Sequence, residues 1–302
     1  MTVAIEVRGL RKSYGDAEAV RGIDLSVDVG EVFALLGPNG AGKTTTVEIL
    51  EGYRQRSAGE VWVLGHDPAK HERAFRRRIG IVLQSTGVDP YLTVRETVEL
   101  FAAYYPRPRN VDEVLEVVGL TEKRDVRVLK LSGGQQRRLD VAIALAGDPE
   151  LLFLDEPTTG FDPGARRNAW EIVRNLTALG KTVFLTTHYM DEAQNLADRV
   201  AVIATGEIVA EGPPSTLGGR DLAGTLIRFR LPDGAGDLPA AARDAVRTAR
   251  GFELSSPDAT RTLHELTGWA LERGIELESL EVMRPTLEDV YLQLTGGEAG
   301  AE

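Results

Sequence analysis

The chain has 302 residues, no cysteine and a formal net charge of −11 at pH 7. A chain of this length can bury a large core and can hold one domain or a domain with a smaller companion. The absence of cysteine excludes disulfides, thiolate metal sites and a cysteine nucleophile, and it fits a reducing cytoplasm. The acidic balance argues against a nucleic-acid partner, because the phosphates would be repelled.

The amino terminus lacks the basic region and apolar stretch of a signal peptide. No apolar run approaches the ~20 residues that are needed to span a bilayer. We therefore expect the chain to stay in the cytoplasm. If it serves a membrane process, a different chain must cross the membrane.

The residues before position 30 form two predicted strands, at 2–8 and 19–27, with Tyr14 between them in a polar turn. An aromatic ring at that place can stack on a nucleotide base, since every base offers a π face. A half-buried packing tyrosine is the alternative interpretation.

A glycine-rich segment at 37–44 carries the pattern G-x-x-x-x-G-K-[ST] between an apolar run at 32–36 and a helical stretch from Thr45. A strand–loop–helix of this kind binds phosphate, because its glycines let backbone N–H groups approach a polyphosphate closely. Lys43 adds a full positive charge, and the Thr44 hydroxyl can ligate Mg²⁺. The segment therefore predicts nucleoside triphosphate binding. The predicted binding residues are Gly37, Pro38, Asn39, Gly40, Ala41, Gly42, Lys43, Thr44 and Thr45.

Two short strands are predicted after this loop, at 59–65 and 79–83, and the second ends at Gln84. The stretch 71–78 between them is rich in arginine. We interpret it as one solvated face of a helix.

The chain from about 86 to 145 is interpreted as a mostly helical insertion in an α/β domain. Apolar spacing indicates helices at 93–104 and 111–118. A third helix follows Ser132, which can cap it, with Gln135 at the capping-box position. The two glycines between them leave the helix N-terminus bare, so that its N–H groups can meet an anion. An ordinary capped helix is the alternative.

An apolar strand at 151–154 ends in two carboxylates, Asp155 and Glu156. Carboxylates at the end of a buried strand are unfavourable without a cation or donors. Asp155 is placed to hold Mg²⁺, directly or through water. Glu156 faces elsewhere and can polarise a water for attack on a terminal phosphate. A solvated acidic turn is the alternative, which the phosphate loop upstream disfavours.

His188 follows another buried strand, predicted at 182–187. A lone histidine is more often structural than catalytic. At the carboxyl end of a parallel strand, however, it lies where ligands bind in open α/β sheets. Before this strand, Asp162 belongs to a turn that precedes a helix at 166–179.

The composition changes after Gly212, and we place a domain boundary at about residue 220. The predicted domains are therefore 1–219 and 220–302. The second has no concentrated chemistry and is interpreted as a small α+β module. Its predicted elements are strands at 225–231, 251–254 and 275–282 and helices at 258–273 and 287–294.

The phosphate loop, Leu131–Gln135, Leu154–Glu156 and His188 occur in an order that resembles the ATP-binding subunit of an ABC transporter. The resemblance covers residues 1 to about 215. It implies an α/β fold of the P-loop NTPase type, with a helical subdomain and a small C-terminal α+β domain. It also implies hydrolysis of ATP with Mg²⁺. The expected assembly is a head-to-tail homodimer, with ATP between the phosphate loop of one subunit and the Leu131–Gln135 segment of the other.

Individual roles are carried over where the motifs match. The resemblance implies that Tyr14 stacks on adenine and that Gln84 senses Mg²⁺ and the attacking water. Glu156 is then the general base, and His188 is the γ-phosphate switch. Asp162 belongs to the loop that links the two sites of the dimer. The implied nucleotide contacts across the interface are Ser132, Gly133, Gly134 and Gln135, and the implied metal contacts are Thr44, Gln84 and Asp155.

Segments at 51–67, 188–193 and 285–291 further resemble the drug-resistance (daunorubicin-type) and polysaccharide exporter branch, whose permeases are separate membrane chains. This predicts a subunit on the inner face of the cell membrane that powers an integral membrane permease, with no nucleic-acid partner. The expected cargo is drugs or other hydrophobic or amphipathic compounds. Phe161 departs mildly from the family, which usually has leucine there. A soluble ABC ATPase acting on ribosomes or DNA and an importer subunit are the alternatives.

Overall fold

The computed structural model describes residues 2–82, 87–219, 224–232, 238–248 and 251–283, together with Leu287 and Tyr291. The chain divides into two compact units, Met1–Pro214 and Ser215–Glu302. The boundary predicted at about residue 220 lies close to this division.

The described part of the first unit contains nine β-strands and seven α-helices. The strands are β1 (Val3–Tyr14), β2 (Ala17–Asp28), β3 (Val32–Leu36), β4 (Ala58–Val63), β5 (Ile79–Val82), β6 (Leu151–Asp155), β7 (Thr182–Thr187), β8 (Arg199–Ala204) and β9 (Glu207–Gly212). The helices are α1 (Lys43–Leu50), α2 (Arg73–Arg76), α3 (Val94–Ala102), α4 (Val111–Val117), α5 (Gly133–Leu145), α6 (Pro163–Ala178) and α7 (Met190–Leu196).

The larger sheet of this unit has six strands in the order β5-β6-β7-β3-β8-β9. All neighbouring strands are parallel except β8 and β9. Leu36 at the end of β3 pairs with Thr187 of β7, and Thr186 pairs with Asp155 of β6. The phosphate loop, the carboxylates after β6 and the histidine after β7 therefore leave the sheet at one edge, side by side.

The centre of this sheet is buried on both faces, which explains its unbroken apolar strands. Every residue of β3 and β7 is buried. Phe33 stacks on Phe184 at 5.5 Å between ring centroids, and Phe184 meets Phe153 at 5.8 Å. Full burial of such side chains contributes about 1.5–3 kcal/mol each. The edge that carries the functional loops is thus held by a rigid core.

A second, antiparallel sheet has the order β2-β1-β4. The prediction of a short first strand at 2–8 is wrong, because β1 continues to Tyr14. Pairing with β2 runs on to Tyr14 and Ala17, with register shifts that interrupt the sequence alternation. Tyr14 therefore ends a strand and does not lie in a polar turn.

Helices α3, α4 and α5 follow one another in the region predicted to be helical. The basic stretch 71–78 forms only the four-residue helix α2, so it offers no extended helical face. Across the described ranges of the chain, none of the helices combines the length and apolar character that crossing a membrane requires.

The second unit contains β10 (Thr225–Arg230), β11 (Val246–Thr248), β12 (Gly251–Ser256), α8 (Ala259–Glu272) and β13 (Glu278–Met283). The strands form an antiparallel sheet in the order β11-β12-β10-β13. Its core includes Phe229 of β10 and Trp269 of α8. Strand β11 was not predicted, because its three residues are all exposed and carry no pattern. Apart from Leu287 and Tyr291, the predicted last helix lies outside the described residues.

Candidate active site

The phosphate loop is anchored by backbone contacts to its neighbours in the sheet. The Gly37 N–H donates to the Thr187 carbonyl at 3.2 Å, and the Gly206 N–H donates to the Ala41 carbonyl at 3.0 Å. A Cβ at Gly37 would lie 2.3 Å from a backbone oxygen of Ile203. The first glycine is therefore required by this close approach of two backbones.

Helix α1 begins at the loop without a side-chain cap. Its N-cap residue, Gly42, has φ = 105°, and no side chain accepts a hydrogen bond from the first turn. Thr44 in that turn is exposed, and Thr45 is half-buried. Uncapped N–H groups at a helix N-terminus attract anions, so this end is built to receive phosphate.

Lys43 is held inside the loop, with 4% of its surface exposed. Its Nζ donates to the carbonyls of Gly37 at 2.8 Å and Pro38 at 3.1 Å. The same Nζ lies 3.3 Å from the Glu156 Oε1. The phosphate loop and the carboxylate after β6 therefore share one cation.

Glu156 connects three parts of the site. Its backbone lies in the left-handed region at φ = 44°, and its N–H donates to the Thr186 hydroxyl at 3.0 Å. The His188 Nδ1 lies 3.3 Å from its Oε1, and the Thr159 hydroxyl donates to its Oε2 at 3.1 Å. Burial opposes ionisation, but Lys43 and His188 outweigh it and lower the pKa of Glu156. The carboxylate is therefore charged at neutral pH, as a general base must be.

Asp155 accepts a hydrogen bond from the Thr186 hydroxyl. Burial and the nearby Glu156 charge raise its pKa, against the Thr186 bond and Lys43. A divalent cation would favour its charged form. Mg²⁺ takes one or two protein oxygens and keeps several waters, which fits Asp155 with the exposed Thr44 hydroxyl. Accordingly, no group of three or more His, Cys, Asp or Glu ligands occurs among the described residues.

Helix α5 begins with the capping box that the sequence predicts. The Gln135 N–H donates to the Ser132 hydroxyl, and the Ser132 N–H donates to the Gln135 side chain at 3.0 Å, which completes a capping box. Gly133 and Gly134 lie in the first turn between these two residues. The predicted capping box is confirmed, and its two bonds involve the N–H groups of Ser132 and Gln135, not those of Gly133 and Gly134.

Asp162 is the N-cap of α6 and accepts N–H bonds from Gly164 at 2.8 Å and Ala165 at 2.9 Å. These two backbone bonds lower its pKa. Tyr14 is 42% exposed, and its ring lies 5.0 Å from the Lys12 Nζ. Gln84 lies outside the described residues.

Arg137 on α5 contacts the end of β6 and the residues after it, and the sequence did not predict this. The Arg137 guanidinium donates to the backbone carbonyls of Asp155 at 3.2 Å and Pro157 at 3.4 Å. It also lines a cavity of about 810 Å³ together with Asn39, Thr44 and Glu156. The helical part thus borders the same cavity as the phosphate loop. No residue spacing indicates this contact, because Arg137 follows Ser132 by five residues, whereas neighbours on one helix face are three or four residues apart.

The chain is similar to known proteins along its whole length. Residues 20–159 match the family model described as ABC transporter. Nod factor export ATP-binding protein I from Burkholderia orbicola (strain AU 1054) is 41% identical over 313 residues, which cover 99% of each chain. The chain belongs to the ATP-binding subunits of ABC transporters.

A second relative of this ABC subunit is daunorubicin resistance ATP-binding protein DrrA3 from Streptomyces coeruleorubidus. It is 42% identical over 97% of this chain and 96% of its own length. Residues 225–286 match the ABC transporter domain-containing protein-like, C-terminal domain. The prediction of an exporter-type ATP-binding subunit is confirmed.

Solved ABC cassettes share the fold of the first unit. A dimeric cassette in a post-hydrolysis state, bound to ADP and Pi, has a TM-score of 0.61 and 27% identity over 69% of this chain and 98% of its own. The cbiO1 protein from Clostridium perfringens, part of the cbiONQ transporter complex, has a TM-score of 0.64 and 29% identity over 71% of this chain and 90% of its own. The predicted P-loop fold and ATPase activity are confirmed.

Proposed function

We propose that this subunit works as a homodimer on the inner face of the cell membrane, where it binds and hydrolyses ATP with Mg²⁺ to drive export through an integral membrane permease. The carrying observation is the convergence of Lys43 and His188 on Glu156, each at 3.3 Å, at the ends of three neighbouring strands. This is where open α/β sheets bind ligands.

Hydrolysis needs a charged base, a positioned phosphate and stabilisation of developing negative charge. Glu156 accepts a proton from the attacking water. Lys43 and the uncapped start of α1 hold the outer phosphates, and His188 contacts the γ-phosphate. Thr44 and Asp155, together with Gln84, would hold Mg²⁺, which would neutralise phosphate charge when bound. Tyr14 stacks on the adenine ring.

The second half of each nucleotide site comes from the other copy. Ser132, Gly133, Gly134 and Gln135 at the start of α5 contact the γ-phosphate across the interface. Asp162 caps α6 beside this segment and links the two sites. A related cassette is dimeric with ADP and Pi bound, which supports this arrangement. ATP then closes the dimer, and hydrolysis reopens it.

The permease docks beside α3. A groove of about 380 Å³ is lined by Glu51, Tyr53, Phe101 and Tyr105. Tyr53 is 67% exposed, although aromatic rings of this size are normally buried. An aromatic wall around a buried carboxyl suits an amphipathic cytoplasmic segment with a basic residue.

The proposed cargo class is drugs or other hydrophobic or amphipathic compounds. One relative is named for Nod factor export and another for daunorubicin resistance, and both names support outward transport. The alternatives of an importer subunit and of a soluble ATPase on ribosomes or DNA gain no support from these names.

Replacement of the base tests the proposal. Glu156→Gln lowers ATP turnover by about 100- to 10,000-fold, because general base catalysis is lost while the shape is kept. ATP binding persists, and ATP traps the dimer, which size-exclusion chromatography with light scattering detects. Glu171→Gln on the exposed face of α6 is the matched control and turns over like the parent. Normal turnover by Glu156→Gln would remove Glu156 as the base.

The trapped dimer then serves as bait for the permease. Tagged Glu156→Gln protein with ATP is incubated with detergent-solubilised host membranes, and co-purifying chains are identified by mass spectrometry. We expect a polytopic membrane protein to co-purify with the bait. We expect less of it when the bait also carries Tyr53→Ala. Ribosomal proteins or DNA-repair factors would contradict the transporter role and leave the ATPase chemistry intact.

A further inference from the structure

Buried polar atoms without a hydrogen bond are concentrated beside the ATPase site. In the described ranges, seven such side-chain atoms occur, and six of them belong to α6, α7 or the loops before these helices. Native proteins satisfy nearly all buried polar atoms, so each exception needs a physical reason. Glu192 of α7 and Thr158 of the loop before α6 are both members of this group.

Glu192 is the most demanding member of this group. It lies in the first turn of α7 with 0% of its surface exposed, and both carboxyl oxygens lack a hydrogen bond of good geometry to any described residue, although the Thr187 and Thr158 hydroxyls lie within reach. Burial raises its pKa, and Asp191 acts in the same direction. The hydroxyls of Thr187 and Thr158 and the charge of Arg166 oppose this shift. Arg137 of α5 is the other cation that interacts with the carboxyl.

Thr158 is the natural partner of this carboxyl. It follows Glu156 by two residues, is 1% exposed, and its hydroxyl also lacks a hydrogen bond to any described residue. The hydroxyl is close enough to stabilise the charged form of Glu192, but the two groups do not form a hydrogen bond of good geometry. A donor and an acceptor are thus buried within reach of one another, but their hydrogen bond is not well aligned.

Thr187 connects the surroundings of Glu192 to the phosphate loop. Thr187, which also acts on the carboxyl, ends β7 directly before His188. Its hydroxyl accepts the Tyr189 N–H at 2.9 Å, and its carbonyl accepts the Gly37 N–H at 3.2 Å. A group fixed to this strand end is therefore fixed to both the histidine and the phosphate loop.

We propose that Glu192 is a positioning residue for hydrolysis: in the hydrolysing conformation its carboxyl hydrogen-bonds the Thr158 hydroxyl and holds the loop after Glu156 against the strand end that carries His188. The inference rests on the proposed roles of Glu156 and His188. A small shift of the loop from Thr158 towards α7 forms the bond. The shift carries the base with it, because only one residue separates Thr158 from Glu156.

An uncharged carboxyl or an amide can make this hydrogen bond, whereas an apolar side chain of similar size cannot. Replacing a buried polar group by an apolar one often leaves stability unchanged. An apolar replacement should therefore lower turnover without lowering stability, so the positioning role can be measured.

The experiment compares turnover and binding in the full chain. Glu192→Leu and Thr158→Val each lower kcat by about 10- to 100-fold, since a misplaced base loses its alignment. The KM for ATP stays within about twofold, because the phosphate loop is intact. Glu192→Gln and Thr158→Ser keep most of the activity. The double variant Glu192→Leu with Thr158→Val is no slower than either single variant, because both remove the same bond.

Three controls separate this role from packing and from the proposed ATPase site. Thr97→Val removes a buried hydroxyl on α3 and leaves kcat unchanged. If Glu192→Leu does not fold, the comparison of Thr158→Val with Thr158→Ser carries the test. Parent-like kcat in Thr158→Val, or losses that add in the double variant, would overturn the inference. Full turnover by Glu156→Gln would instead refute the proposed site itself.

Discussion

Helices α1 and α5 both begin at a segment that is proposed to bind nucleotide, but only α5 has a side-chain cap at its N-terminus. Helix α1 starts at Gly42, in the left-handed region and without a side-chain cap. Helix α5 starts at Ser132, whose side chain and that of Gln135 complete a capping box. Helix α1 leaves the N–H groups of its first turn for a ligand, whereas in α5 the Gln135 N–H is already bonded to the Ser132 hydroxyl.

The C-termini of the two helices differ in the same sense. Helix α1 ends at Glu51, a 7% exposed carboxyl at the negative end of the helix dipole. Burial, with Asp155 and Glu48, raises its pKa to about 8. Helix α5 ends at Ala146, with no charge there. Both ends of helix α1 are therefore less stabilised than those of α5. The N-terminus of α1 faces the proposed phosphate site, and its C-terminus faces the proposed permease groove.

The largest expected effect comes from adding a side chain at Gly42, the uncapped start of α1. A Cβ at Gly42 would lie 2.6 Å from the Ala19 carbonyl oxygen, and φ = 105° strains any residue with a side chain. Gly42→Ala is expected to weaken ATP binding by about 100-fold, equivalent to roughly 3 kcal/mol. Equilibrium binding of a fluorescent ATP analogue measures this loss, and circular dichroism checks the fold.

The matching glycine on α5 is the control. A Cβ at Gly133 meets nothing within 4 Å, and its φ is not positive. Gly133→Ala should leave ATP binding by the isolated subunit unchanged. Equal losses in Gly42→Ala and Gly133→Ala would mean that the two helix starts do not differ as described.

The sequence predicted the open end of α1 and the residues around it because strand order and motif agree. Parallel strands of α/β sheets place their carboxyl ends at one edge, so the phosphate loop, Glu156 and His188 were expected together. It did not predict that Lys43 bonds the loop carbonyls or that Arg137 reaches the carbonyl after β6. Such contacts depend on side-chain conformations and helix packing, which residue patterns do not specify.

The sequence also did not predict which polar side chains are buried. Glu51 and Glu192 are charged side chains that pattern reasoning places at the surface, yet both are buried. The unusual environment of Glu51 arises from the groove beside α3, which only the tertiary structure defines.

Removing the charge of Glu51 sharpens the comparison at the other end of α1. Its pKa is near 4.5 in the unfolded chain and about 8 in the folded one, so the folded protein holds the proton more tightly. The stabilisation from this proton is complete below about pH 4.5 and is lost as the pH rises towards about 8. Glu51→Gln should therefore be more stable than the parent at pH 8, by roughly 2–4 kcal/mol, and about equal at pH 4.5.

Urea unfolding at several pH values, followed by circular dichroism, measures this difference. The exposed Glu171→Gln variant is the control and should follow the parent at each pH. If Glu51→Gln and the parent keep the same stability difference from pH 4.5 to 8, the carboxyl is not buried without a cation.

The smallest effect is expected at the capped end. Ser132→Ala removes one half of the capping box, which lowers the unfolding free energy by about 1 kcal/mol. ATP binding by the isolated subunit should not change, because the phosphate loop of the same chain does that work. Turnover should fall, since the same hydroxyl is proposed to contact the γ-phosphate in the nucleotide site of the other subunit. Gln135→Ala removes the reciprocal cap and keeps the hydroxyl, but it also removes a proposed γ-phosphate contact, so its stability is the quantity to compare with that of Ser132→Ala. If both variants lost stability equally and turned over like the parent, α5 would be an ordinary capped helix, and only the open end of α1 would serve the nucleotide.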